Sequence, residues 1–170
     1  NDIRLLLRAS ANGELNILKH LRKHGDSVKD IAFIVSDVDE IVMRCQYLNK
    51  ICVIEPAVTL EYMNQKIRVA KISSFGALTH TLIAHLDKHE HPKTIYDSAN
   101  PILKSSTKLL FKSIDHIAIC VEKGTLAHWI NFYTIAFNLT VTHEENVDTG
   151  KSGMNSKVLQ SSNAKVKLVF

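Results

Sequence analysis

The chain has 170 residues, of which 45% are hydrophobic and 22% charged, a make-up that is typical of a folded globular protein and argues against disorder. Its net charge of +4 is small and aromatic residues amount to only 6%, so little indicates a nucleic-acid-binding surface. No apolar run approaches the roughly 18 residues that span a bilayer, and neither a dinucleotide nor a P-loop glycine motif is present. We therefore expect neither a membrane nor a nucleic-acid partner.

The cysteines bear on the compartment. Cys45, Cys52 and Cys120 show no CxxC spacing and lie in apolar segments. An odd number of thiols without a signal-peptide pattern favours a reducing compartment, and we expect a cytoplasmic protein. The sequence begins at Asn1 rather than at Met and stops at Phe170 inside an apolar run, so we also expect a fragment of a longer protein.

The first half of the chain predicts a strand, a helix and further strands. Residues 2–10 are predicted to form a strand that has no helix before it and would end an earlier unit. A second strand is predicted over residues 28–35, and the pair Ser36-Asp37 that follows it is a good helix N-cap. Apolar residues then recur at helical spacing over residues 38–48. Four strand-like stretches come next, over residues 50–54, 58–62, 66–73 and 77–85.

The same pattern returns about 86 residues later, which indicates an internal repeat. Residues 114–121 correspond to residues 28–35, so that His116 takes the position of Asp30. A helical pattern follows over residues 126–137. Strands are then predicted over residues 139–144, 154–160 and 165–170. The sequence thus predicts an α+β fold of tandem βαβββ units, the second lacking its last strand, with a linker between the two copies.

Four segments together resemble a known family. They are residues 24–33, the hairpin over residues 67–80, the tripeptide Ile114-Asp115-His116, and residues 152–159. In this order and spacing they are similar to the 4-hydroxyphenylpyruvate dioxygenases of the vicinal-oxygen-chelate superfamily, and the resemblance covers nearly the whole chain. It implies paired βαβββ modules with mixed, curved sheets and flanking helices.

The resemblance also implies a domain organisation. Residues 1–90 would be the latter part of a non-catalytic N-terminal domain, with the end of one module and a complete second module. Residues 91–110 would be a linker, and residues 111–170 the first part of the catalytic C-terminal domain. The remainder of that domain would lie beyond Phe170, and we expect a homo-oligomer.

His116 is the candidate metal ligand. Non-haem iron oxygenases hold Fe(II) with two histidines and one carboxylate, and leave positions open for a chelating substrate and O2. A single histidine, taken alone, is more often satisfied by local hydrogen bonds than bound to a metal. The resemblance implies instead that His116 binds Fe(II), with the second histidine and the glutamate beyond Phe170. No further catalytic residue is identified.

Ser156 is the candidate substrate-binding residue. It matches a family residue whose hydroxyl lines the substrate pocket, and a hydroxyl can donate a hydrogen bond to a keto-acid oxygen. A strand serine that faces solvent is an equally good interpretation. Asn155 should lie on the opposite face of the strand. Val169 stands where the family has a pocket-lining proline.

Other candidate residues are given structural interpretations. Asp30 could bind a metal, but its module is non-catalytic in the family, so a structural role is favoured. Four histidines, which form the densest group of that residue type, are expected in a solvated segment: His80, His85, His89 and His91. Three aromatic residues at helical spacing are expected in the core: Trp129, Tyr133 and Phe137.

The resemblance implies an Fe(II)-dependent dioxygenase of tyrosine catabolism, with a small-molecule 2-keto acid and O2 as its substrates. The 2-keto acid chelates the iron, and oxidative decarboxylation is followed by ring hydroxylation with side-chain migration to give homogentisate. Hydroxymandelate synthase, which hydroxylates the benzylic carbon of the same substrate, is one alternative. A non-catalytic vicinal-oxygen-chelate binding module is another. For the 170 residues alone we expect no measurable turnover.

Overall fold

The computed structural model describes residues 5–10, 13–48, 53–62, 65–87, 113–151 and 153–170. Contacts divide the chain into two compact units, whose described parts are residues 5–87, called unit one here, and residues 113–170, called unit two. The predicted linker over residues 91–110 lies outside the described residues. Among the described residues, no helix combines the length and the apolar character that crossing a membrane requires.

Unit one contains two helices and a four-stranded sheet. Its elements are α1 (Leu15–His24), β1 (Phe33–Ile34), α2 (Val38–Tyr47), β2 (Val53–Tyr62), β3 (Gln65–Ser73) and β4 (Thr79–His85). The strand order is β1-β4-β3-β2, with β1 parallel to β4 and the other neighbours antiparallel. From β1 onward the elements are one βαβββ unit.

Unit two repeats this topology. Its elements are β5 (Ile117–Ala118), α3 (Leu126–Phe137), β6 (Thr140–Asp148), β7 (Gly153–Gln160) and β8 (Lys167–Val169). The strand order is β5-β8-β7-β6, again with one parallel pair, between β5 and β8. The predicted α+β fold of tandem βαβββ units is therefore confirmed.

The prediction that the second copy lacks a strand was wrong. The stretches around Pro56 are one strand, β2, which stays paired with β3 through two shifts of register, between Val53 and Glu55 and between Glu55 and Val58. A proline cannot donate a ladder hydrogen bond, but an edge strand with a bulge accommodates it. Both units consequently have three strands after the helix.

The N-terminal prediction was also wrong. Residues 5–10 form no strand, and α1 follows them, although the sequence analysis placed no helix there. The usual signals of a helix start are missing, because Glu14 makes no side-chain capping bond and the first turn holds no acidic residue. The C-terminal signal is present, since Gly25 ends the helix with a φ of 66°.

The two first strands are shorter than predicted. The segment over residues 28–35 contributes only β1 and an isolated bridge between Asp30 and Thr79. The backbone of this segment still bonds to β4, through Ile31 N–H to the Thr79 carbonyl and Val35 N–H to the Ile83 carbonyl. Both first strands lie at an edge of their sheets, so only one side of each is paired within the described chain.

Helices α2 and α3 begin and end close to their predicted bounds. Asp37 caps α2 by accepting a hydrogen bond from the Glu40 N–H at 3.0 Å. An ion pair ties this helix to β3, with Arg68 Nη2 at 2.7 Å and Nε at 2.9 Å from the Asp39 carboxylate. This contact lowers the pKa of Asp39 below its ordinary value.

One sheet face in each unit is buried with its helix. In unit one the buried side chains of this face include Ile72, Leu82 and the thiol of Cys45 on α2, whose pKa burial raises to about 12. In unit two they include Leu159 and Leu168. At the opposite edge of sheet two, β6 is exposed along its whole length.

Candidate functional site

His116 lies directly before β5, at the edge of sheet two. Its side chain is 46% exposed, and its Nδ1 is 2.7 Å from Oδ2 of Asp115. The other carboxylate oxygen of Asp115 accepts a hydrogen bond from Lys167 Nζ at 3.1 Å. These two contacts lower the pKa of Asp115, the hydrogen bond from His116 having the larger effect. Because Nδ1 is engaged, Nε2 is the nitrogen that remains to face a ligand.

In the described part of unit two, no helix covers one face of the sheet. Successive strand residues alternate between faces, and Leu159 is fully buried on the side of α3, where the Tyr133 and Phe170 rings lie 5.0 Å apart. The residues in alternate register with Leu159 therefore lie on the other face, called the open face here. On β7 these are Met154, Ser156, Val158 and Gln160.

The strand registers show which residues of the neighbouring strands lie on the open face. Val158 pairs with Val169, and Val169 with Ala118, so these three side chains share the face. Gln160 pairs with Lys167, and the parallel register of β5 and β8, extended by one residue, places His116 next in that row. His116 thus takes the position that the two-residue period of β5 assigns to the open face.

Ser156 lies on the same face as His116 but does not contact it. Ser156 is half-buried on β7 and pairs with Glu145 of β6. Four residues along β7 and two strand spacings separate the two positions, which corresponds to roughly 16 Å over the sheet. Asn155 lies on the opposite face, as the alternation predicts, and is exposed.

The counterpart of His116 in unit one is Asp30, which is hydrogen-bonded to the neighbouring strand. The Asp30 carboxylate accepts hydrogen bonds from the hydroxyls of Thr79, at 2.5 Å, and Thr81, at 3.0 Å. The same hydroxyl oxygen of Thr79 lies 3.2 Å from the Lys29 carbonyl oxygen. Both hydroxyls bond one carboxylate oxygen, Oδ2, so they orient the exposed side chain of Asp30, and its structural role stays a prediction.

The remaining histidines do not form a metal site in the described part of the chain. Within it, no group of three or more His, Cys, Asp and Glu side chains could hold an ion. His80 is fully buried rather than solvated, with Nδ1 at 3.1 Å from the Ile31 carbonyl oxygen and its ring on Phe33. Burial lowers its pKa to about 4. His85 belongs to β4 and not to a linker, while His89 and His91 lie outside the described residues.

The helix aromatics are core residues to different degrees. Tyr133 is fully buried, whereas Trp129 and Phe137 are partly exposed. Phe132, which the sequence analysis did not single out, is also buried, and it packs edge-on against Trp129, Tyr133 and Phe137.

Sequence reasoning also missed polar residues that share the site. Gln160 could have been found, because it follows Ser156 by two strand periods. Asp115 belongs to the tripeptide Ile114-Asp115-His116, which carries part of the family resemblance, but no role was predicted for it. Lys167 could not have been assigned, because its contact with Asp115 spans 52 residues and depends on the pairing of β5 with β8.

The chain is similar to known enzymes. It is 31% identical over 157 residues to the 4-hydroxyphenylpyruvate dioxygenase of Neurospora crassa, a match that covers 88% of this chain and 38% of the relative. The dioxygenase of the same name from Yarrowia lipolytica is 30% identical over 157 residues, which is 88% of this chain and 39% of that relative. The chain thus spans about two fifths of the length of these curated relatives.

Solved structures share the fold. A triple mutant of 4-hydroxymandelate synthase from Streptomyces coelicolor has a TM-score of 0.70 at 22% identity, over 92% of this chain and 44% of that one. A fusion protein of a xylose isomerase-like TIM barrel and a 4-hydroxyphenylpyruvate dioxygenase has a TM-score of 0.58 at 18% identity, over 89% of this chain and 22% of that one. No protein-family model matches the chain.

Proposed function

We propose that this chain, a relative of the 4-hydroxyphenylpyruvate dioxygenases, is part of an Fe(II)-dependent enzyme of tyrosine catabolism that converts 4-hydroxyphenylpyruvate and O2 to homogentisate and CO2. The observation that carries the proposal is the placement of His116. Its ring lies at the edge of an open, partly polar sheet face, with Nδ1 held by Asp115 at 2.7 Å. An imidazole held in this way has the geometry of a metal ligand that binds through Nε2.

The residues of the open face have different roles in metal binding, substrate binding and the exclusion of water. His116 supplies one protein ligand to the iron, and the remaining two ligands come from outside the 170 residues. Bound iron would bring the chelated keto acid and O2 together and supply the oxidative chemistry. Ser156 contacts the substrate at a distance from the metal and fixes its orientation by a hydrogen bond. The apolar side chains of Val158 and Val169, between the two positions, exclude water from the reacting centre.

The proposal includes the organisation of the whole protein. Residues 1–90 belong to a non-catalytic N-terminal domain, residues 91–110 connect it to the rest, and residues 111–170 begin the catalytic domain. The assembled enzyme is a cytoplasmic homo-oligomer. What supports this division is the difference between the two equivalent positions, since unit one has an aspartate bonded by two hydroxyls where unit two has a histidine.

Hydroxymandelate synthase is the second candidate. A structure of that name has the higher TM-score of the two solved structures described above, 0.70 against 0.58. The two reactions use the same keto acid and O2, and their products differ in whether the ring or the benzylic carbon is hydroxylated. Product analysis therefore distinguishes the two candidates directly.

The test uses the full-length protein that contains these residues. We expect O2 uptake that requires both Fe(II) and 4-hydroxyphenylpyruvate, with homogentisate as the product, and no turnover by residues 1–170 alone. Hydroxymandelate as the product would favour the second candidate. Folded protein that binds the keto acid without consuming O2 would indicate a non-catalytic binding module.

His116→Ala is the first variant to test, and we expect it to abolish turnover without unfolding the protein. The matched control is His24→Ala, because His24 is an exposed histidine on α1 of unit one and does not belong to the open face. The control should keep its activity. Retained turnover in His116→Ala, with circular dichroism unchanged in both variants, would show that His116 is not a ligand.

A further inference from the structure

The contacts around His116 form a chain of three groups from two distant segments. His116 Nδ1 lies 2.7 Å from Asp115 Oδ2, and Lys167 Nζ lies 3.1 Å from Asp115 Oδ1. Lys167 comes from β8, the strand that pairs with β5, so the ion pair joins the start of one strand to its neighbour. Each oxygen of the Asp115 carboxylate therefore has a partner, and the two contacts fix the orientation of this side chain.

The chemistry of the three groups fixes the position of one proton. An ionised carboxylate only accepts hydrogen bonds, and Lys167 Nζ already donates to Asp115 Oδ1. The short contact to His116 then requires that Nδ1 carry the hydrogen. A neutral imidazole with its proton on Nδ1 has an unprotonated Nε2, and that nitrogen is the one able to donate an electron pair to a metal.

We propose that Asp115 and Lys167 are positioning residues, which hold His116 in the Nδ1–H tautomer and present its Nε2 toward the open face before any metal arrives. The inference rests on the proposed function for the identity of the ligand but not for the hydrogen bonding. Metal-binding histidines commonly donate their second N–H to a carboxylate, and loss of that partner weakens metal affinity about 10–100-fold.

Unit one supports this assignment by contrast. The position that corresponds to Asp115 is Lys29, the one that corresponds to His116 is Asp30, and the one that corresponds to Lys167 is Thr79. There the donor from the neighbouring strand bonds the Asp30 carboxylate directly. The carboxylate that orients a histidine therefore occurs in the unit that has the histidine.

The first measurement is the tautomer of His116 in metal-stripped, full-length protein. With 15N-labelled histidine at pH 8.5, long-range 1H–15N spectra distinguish the protonated from the unprotonated ring nitrogen, and His116→Gln identifies the signal. We expect protonated Nδ1 and unprotonated Nε2 in the native protein. In Asp115→Ala the signal should move to the averaged position of the exposed His143 ring. A native ring protonated on Nε2, or no change in Asp115→Ala, would overturn the inference.

Lys167 is tested by a matched pair of variants. Lys167→Met should shift the tautomer partway, and Lys167→Arg should restore it, because the guanidinium keeps the charge and the hydrogen bond to Asp115. Lys165→Met is the control, since Lys165 is an exposed lysine two residues away, just before β8. Equal spectra for Lys167→Met and Lys165→Met would remove Lys167 from the assignment.

The second measurement separates this inference from the proposed function. Binding of Co(II), a redox-stable substitute for Fe(II), is measured by calorimetry, and Asp115→Ala should raise the dissociation constant about 10–100-fold. If native protein with the expected tautomer fails to bind Co(II), the proposed function is wrong while the hydrogen-bond assignment stands. If Co(II) binds equally well to Asp115→Ala, the positioning role is wrong and the metal site stands.

Discussion

The two sheets of this chain have one topology and two different edges. In each, a short first strand runs parallel to the last strand of the unit, and one residue stands at the same point before it: Asp30 in unit one and His116 in unit two. Asp30 accepts hydrogen bonds from Thr79 and Thr81, whereas His116 keeps one ring nitrogen available. The two edges therefore share their strand pairing and differ in the side chains at this point.

The buried cores of the two units differ at two equivalent positions. Leu168 occupies the place in unit two that His80 occupies in unit one, and both are fully buried. On the helices, the fully buried Tyr133 stands where unit one has Cys45. Unit one therefore has a titratable ring and a small helix residue in its core, where unit two has a leucine and a large helix residue.

The largest expected effect distinguishes the two helix positions. Tyr133→Ala removes a fully buried ring that packs on Phe132 and Phe170, and should lower the free energy of unfolding by about 3–5 kcal/mol. Cys45→Ala removes one buried sulfur and should cost about 1 kcal/mol. Urea denaturation followed by circular dichroism measures both. Equal costs would contradict the burial and packing of the Tyr133 ring.

The next effect is the pH dependence of unit one. Burial lowers the pKa of His80 to about 4, so the folded state resists a proton that the unfolded chain accepts below about pH 6.5. The stability that His80 contributes should be complete above pH 6.5 and fall by up to about 3 kcal/mol as the pH drops to 4. Denaturation curves across this range measure the slope. His80→Leu, which introduces the residue of unit two, should flatten it, and an unchanged slope would contradict the assignment.

The smallest effect tests the hydrogen bond between Thr81 and Asp30. Thr81→Val introduces the residue that unit two has at Val169, removes the 3.0 Å hydrogen bond to Asp30, and should cost about 1 kcal/mol. A double-mutant cycle with Asp30→Ala isolates the pair, because Thr81→Val should have little effect once the carboxylate is gone. If the two substitutions are simply additive, Asp30 is not held by Thr81.

Local signals predicted the elements that local chemistry determines. Helix α2 was predictable from the Asp37 cap and the apolar spacing that follows it, and α3 from its spacing alone. Helix α1 was missed because its N-terminus lacks a capping side chain. The strands of unit one were overcounted, because the stretches on the two sides of Pro56 were predicted as two strands, whereas β2 bulges there and continues. The second copy was for that reason predicted to lack a strand.

The candidate site was predictable in part. The repeat identified His116 and its equivalence to Asp30, and strand alternation separated Ser156 from Asn155. Two further contacts depend on which residues of distant strands pair with each other. They are the ion pair of Lys167 with Asp115 and the hydrogen bond of Thr79 with Asp30. Pairing of this kind is a property of the folded sheet and has no counterpart in the order of residues along the chain.

Strand β6 has a consequence for the behaviour of these 170 residues in solution. It is the last strand of its sheet in the described chain and is exposed along its length, so its outer backbone groups can template pairing with another strand. The corresponding edge of unit one, β2, has Pro56 and two register shifts that discourage such pairing. Self-association of the isolated chain should therefore start at β6, where Glu145 and Asp148 oppose it by charge repulsion, while Glu144 is paired with Lys157.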